Sequence, residues 1–140
     1  MIDRQEFYHG AALLKLIADP RCKSVHPSKS GYVVNEKVFV LVKYSTRHNS
    51  PWRFTVTEDE FSLLAAPAVV KTSHIVLVCG GDGFCALHWS KASALLGNSP
   101  GWLSARRPFN GSYTVAGPYG TLNRKVQLKQ WPAILFEKGD

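Results

Sequence analysis

The chain is short of cysteine, short of acid and without a long apolar run, and each shortage removes a class of protein. No apolar stretch is longer than Ile75 to Cys79, which is far too short to cross a bilayer as a helix. The opening MIDRQEF lacks the basic-then-apolar layout of a secretory leader. A cytoplasmic protein without membrane contact is therefore expected. Three cysteines (Cys22, Cys79, Cys85) form an odd set with no CxxC pair, which argues against a disulfide framework and a zinc knuckle. Free thiols are expected. No Pro/Ser/Gly-rich linker and no repeat interrupts the 140 residues, so one domain is expected over residues 1–140. Acidic residues number 10 against 17 Lys and Arg, for a formal charge of +7. The excess is uneven, because residues 101–140 hold six basic and two acidic side chains while residues 31–66 hold four of each. Such an excess argues for association with polyanions and says nothing of the fold.

What is present is apolar patterning. Asp3 and Glu6 have the spacing of a capping box, and Phe7, Ala11, Leu14 and Ile17 follow at helical intervals until Asp19-Pro20. That spacing predicts a helix burying those four residues, with Ile2 and Phe7 as a hydrophobic staple and His9 on the surface. Residues 21–30 read as a polar loop. Residues 31–35 and 37–44 read as strands joined by a tight turn at Asn35-Glu36, the second apolar on both faces as in a central strand. Trp52, Phe54 and Val56 alternate with Arg53, Thr55 and Thr57, predicting a strand with one wet face. Thr57 and Glu60 then repeat the capping-box spacing, opening a helix that ends at Pro67, and the acids Glu58, Asp59 and Glu60 are explained as first-turn residues favoured by the helix dipole.

Residues 74–79 and 84–89 read as a hairpin across Gly80-Gly81-Asp82-Gly83. The glycines are no phosphate cradle, since a strand rather than a helix follows them. A short helix capped by Ser90 and ended by Gly97 is expected next. Strands over 102–105, 112–116 and 126–128 and an apolar tail from Trp131 to Phe136 complete the chain. Together these elements predict an α+β domain with one mixed, largely antiparallel sheet of six to eight strands, an N-terminal helix and two short helices.

The order helix, three strands, helix, strand over residues 3–79 resembles the core of the PD-(D/E)XK nuclease-like family. The resemblance implies a divalent metal held by an acid on one strand and an acid-x-Lys on the next, activating water beside a phosphodiester. This chain departs from that pattern. Leu41 stands two before Lys43, and the next strand carries Arg53 and Thr55. Glu36 is the one acid near the strand pair. No Gly-x-Ser-x-Gly elbow places a serine nucleophile, and Cys79 and Cys85 have no basic neighbour to activate them. No catalytic residue, metal ligand or cofactor is assigned.

Basic and aromatic residues interleave at two places. One is Lys43, Tyr44, Arg47, His48, Asn49, Trp52 and Arg53; the other is Arg106, Arg107, Phe109, Asn110 and Tyr113. Cations neutralise phosphates and exposed rings stack on bases, so the mixture suits single-stranded or structured nucleic acid, DNA or RNA. Lys43, Arg47, His48, Arg53, Arg106 and Arg107 are the expected contacts. The same residue types suit a protein partner, and a homodimer through a strand edge or the C-terminal tail is one form of that alternative.

Overall fold

The computed structural model describes residues 1–65 and 72–137, so the expected stop at Pro67 lies outside the described residues. Helix α1 (Arg4–Ile17) opens on the expected capping box, in which Asp3 Oδ1 accepts from the Glu6 amide at 2.8 Å and Glu6 Oε1 from the Asp3 amide at 3.1 Å. Strand β1 (Val25–Ser28) pairs antiparallel with β2 (Gly31–Val34), placing a strand in what reads as a polar loop. The periodicity is silent here because β1 is an edge strand held by its backbone, and an edge also tolerates Pro27. A turn with both Asn35 and Glu36 at positive φ (54° and 58°) leads into β3 (Val38–Ser45), with Lys37 as a third residue between the paired Val34 and Val38.

Strand β4 (Trp52–Val56) buries Trp52, Phe54 and Val56 and exposes the residues between. Helix α2 (Glu58–Ala65) starts at the second capping box, with Glu60 Oε1 accepting from the Thr57 amide and Thr57 Oγ1 from the Glu60 amide. The chain continues through β5 (Thr72–Cys79), β6 (Gly83–His88), α3 (Trp89–Leu96) and β7 (Gly101–Arg106). It ends through β8 (Thr114–Gly117), β9 (Gly120–Thr121), the short α4 (Gln130–Ala133) and a 3-10 turn at Ile134–Phe136. Ser90 does not cap α3, whose N-cap is His88 without a side-chain bond, while Gly97 closes it at φ 69° as expected. The expected strand over 126–128 reduces to one bridge between Val126 and Tyr113. No helix among the described residues is long and apolar enough to cross a membrane.

The α+β architecture holds, but the strands form two sheets rather than one. The first has the order β1-β2-β3-β5-β6, antiparallel except for β3 alongside β5; the second is β4-β7-β8-β9, antiparallel throughout. The reason is packing. Strands β3 and β5 are apolar on both faces, so the first sheet must be covered twice. One cover is the inner face of the second sheet with α2 and α3, where Leu41, Ile75 and Leu77 meet Phe54, Leu103, Leu64 and Leu96. The other is α1 with the C-terminal tail, where Val40, Val76 and Val78 meet Leu16, Trp131 and Ile134.

Helix α1 buries the opposite stripe from the one expected. His9, Ala12 and Leu16 face the sheet, whereas Phe7, Leu14 and Ile17 are each more than 60% exposed and Ile2 is exposed beside them. The sequence offers two stripes, and contacts elsewhere choose between them. Trp131 Nε1 donates to the Ala12 carbonyl at 3.1 Å, and His9 Nδ1 lies 2.9 Å from the Tyr32 hydroxyl. His9 is thus a buried histidine, not a surface one. Its desolvation lowers its pKa, against the pull of Asp3 and with the push of Lys43.

Candidate nucleic-acid interface

The six basic side chains singled out above fall into two states, paired and open. Lys43 leaves β3 on the α2 side, and its Nζ reaches both Glu60 oxygens at 2.9 Å. Burial opposes ionisation of Glu60, but the Thr57 amide and Lys43 outweigh it and hold the carboxyl below its usual range. Arg107 forms a two-pronged pair with Asp82, Nε to Oδ2 at 2.8 Å and Nη2 to Oδ1 at 2.6 Å, and donates from Nη1 to the Gly111 carbonyl at 3.0 Å. The fully buried Tyr113 adds its hydroxyl to Asp82 Oδ2 at 2.7 Å. Arg107 holds Asp82 ionised well below the ordinary carboxylate range, and burial with the Asp82 bond keeps the Tyr113 phenol protonated.

This node gathers three loops at one end of the sandwich. Ser50 Oγ accepts from the Arg107 amide at 3.1 Å, and the Arg47 carbonyl accepts from Trp52 Nε1 at 2.8 Å. Gly80, at φ 55°, lets that carbonyl come close, because a Cβ there would collide with it. The backbone of the β3–β4 loop is thereby fixed while Arg47 and His48 remain exposed.

Arg53 and Arg106 are also open, and the second sheet brings these two together. Arg53 opposes Ser104 across the β4/β7 pair, so its diagonal neighbours on the same face are Trp102 and Arg106. The Arg53 guanidinium lies over the Trp102 ring, its carbon 4.5 Å from the centroid. The exposed Thr55 and the half-buried Ser104, Thr114 and Ala116 complete the outer face of β4, β7 and β8, and none is acidic. Beyond Arg106 the loop carries Phe109, 93% exposed, the most open aromatic among the described residues. Trp102, Arg53 and Arg106 thus lie side by side on one face of the sheet.

Trp102 is a residue the sequence reading placed only in a strand, although its alternation with Leu103 and Ala105 shows it on the wet side. The partner of Arg107 had no sequence signal, since Asp82 lies 25 residues away in a hairpin turn. Catalytic groups are sparse. Burial raises the thiol of Cys79 to about 12 and that of Cys85 well above its ordinary value, so neither is a thiolate near neutrality. Among the described residues no three His, Cys, Asp or Glu side chains converge to hold a metal. The chain matches no protein-family model, no curated protein and no solved structure.

Proposed function

We propose that this protein is a non-enzymatic, cytoplasmic nucleic-acid-associated protein that holds a flexible strand of DNA or RNA on the outer face of its second sheet. The observation that carries the reading is Arg53 stacked on Trp102 with Arg106 at the next diagonal, on a face without acid. The free face of a stacked guanidinium takes a base, and a neighbouring arginine takes a phosphate. Arg47 and His48 extend the track at the loop end, and Phe109 offers a further stacking surface. Lys43 and Arg107 support this track from within by fixing α2 and the convergent loops.

The test is binding of a short single-stranded oligonucleotide at several salt concentrations. Three to four phosphate contacts give a log–log slope of about −2 to −3, from ~0.7 per phosphate on a single strand. Charge reversal of Arg53 and Arg106 should flatten that slope and weaken binding to every sequence. A wild-type affinity indifferent to salt overturns the reading.

Two other readings each have an observation in their favour. The exposed stripe of Phe7, Leu14 and Ile17 on α1 favours a protein-binding adaptor, which would keep its partner after both arginines are reversed. The parallel pairing of β3 with β5 and the Lys43–Glu60 pair favour the metal-dependent nuclease. Glu36 fits that chemistry poorly, since it sits in the turn before β3, seven residues ahead of Lys43. Cleavage that requires Mg²⁺ or Mn²⁺ and is lost in Glu60→Gln would establish it.

A further inference from the structure

A second electropositive site lies away from the outer sheet face. After β9 the chain returns along β8, and two points pin it there. The Leu122 amide donates to the Val115 carbonyl at 2.9 Å, and Val126 and Tyr113 exchange two backbone hydrogen bonds of 2.8 Å. Between the pins, Asn123, Arg124 and Lys125 are all exposed. They form one wall of a cleft of about 550 Å³, a volume usual for a small-molecule site. His88, the last residue of β6, Lys91 in the first turn of α3, and Gln127 line the same cleft.

Four basic side chains from three elements meet in this cleft, and no acidic residue lines it. Among the described residues none of the four makes an ion pair or a side-chain hydrogen bond, in contrast to Lys43 and Arg107. Two of them sit on a segment fixed at both ends, so the charges are gathered before any ligand arrives, which reduces the cost of binding. Asn123 and Gln127 add neutral donors at the mouth. A single carboxylate would leave most of these donors unused, whereas a chain of phosphates presents enough oxygens for three cations, an imidazole and two amides. We infer that the cleft bounded by His88, Lys91, Arg124 and Lys125 binds the phosphate chain of a polyphosphorylated ligand. That chemistry is shared by a nucleoside polyphosphate and by a nucleic-acid backbone.

The inference stands on residues separate from those of the proposed function, and one set of titrations tests the two apart. Tripolyphosphate is titrated calorimetrically at fixed ionic strength into the full chain, into R124E/K125E and into R53E/R106E. Wild type and R53E/R106E should bind alike, and R124E/K125E should bind at least about tenfold more weakly. Lys91→Glu, on a different element, should reproduce the loss, and thermal unfolding should show both variants folded. No binding to the wild type at millimolar tripolyphosphate, or equal binding by R124E/K125E, overturns the inference. ATP and a single-stranded oligonucleotide then separate the sources. If ATP competes while oligonucleotide affinity is unchanged in R124E/K125E, the ligand is a free polyphosphate; if oligonucleotide affinity falls as well, it is the backbone. Tripolyphosphate binding by a protein with no affinity for oligonucleotide would leave this cleft standing and remove the outer face as a nucleic-acid surface.

Discussion

Arg106 and Arg107 are neighbours in the chain and opposite in use. Arg106 is the last residue of β7 and points to the wet face, where Arg53 and Trp102 are its neighbours. Arg107 turns the other way and spends its donors on Asp82 and Gly111, with Tyr113 completing the set. The contrast teaches that a cluster of like charges is not one site. A cation whose hydrogen bonds are filled by the protein contributes to shape, whereas one left open on an acid-free face keeps its charge and donors free for a ligand.

The largest effect should come from breaking the filled side of that contrast. Asp82→Ala leaves the buried Tyr113 hydroxyl without its acceptor and Arg107 without its partner. Urea unfolding should show a loss of about 2–4 kcal/mol, and a loss below about 0.5 kcal/mol would mean the node is not structural.

A second buried polar group sharpens the comparison because, unlike Asp82, it has no partner. His74 on β5 is 2% exposed, with neither ring nitrogen hydrogen-bonded, and it lies against His88 with ring centroids 4.4 Å apart. Burial, helped by the charge of His88, lowers its pKa from 6.5 to about 4. The unfolded chain therefore takes up this proton at a higher pH than the folded one. Stability from this group is full above about pH 6.5 and falls as pH drops toward 4, by up to about 3 kcal/mol. Denaturant midpoints across that range should fall for the wild type, and the slope should flatten in His74→Leu.

The open side should respond in the other way. Reversing Arg53 and Arg106 together should weaken oligonucleotide binding at least about tenfold while stability changes by no more than about 0.5 kcal/mol. A matching loss of stability would put these arginines in the same class as Arg107. The smallest effect is expected from Trp102→Ala, which removes the platform under Arg53. Affinity should fall by about 1 kcal/mol, with the salt slope unchanged because no charge is lost. A changed slope would show that Trp102 acts by positioning Arg53 on a phosphate rather than by stacking.

Much of the fold is legible in local chemistry. Both capping boxes, the Asn35-Glu36 turn, the doubly apolar β3 and the alternation of β4 follow from spacing, because each depends on residues within a few positions of one another. The edge strand β1 was hidden because backbone pairing, not side-chain burial, holds it. The buried face of α1 was misread because two stripes compete there, and the winning one depends on Trp131, 119 residues away from Ala12. The candidate interface was half legible. Its basic residues stand out by type, but which of them is free depends on Asp82 and Glu60, which belong to other elements.

By itself, then, the sequence determined the elements, their caps and turns, and a basic excess concentrated toward the C-terminal quarter. Tertiary structure alone decided that β4 leaves β3 for a second sheet, that Lys43 and Arg107 are neutralised, and that Arg53, Trp102 and Arg106 share one face. The physical reason is range. Caps, turns and alternation are settled by neighbours along the chain, whereas burial and ion pairing depend on which distant segments the packed core brings into contact.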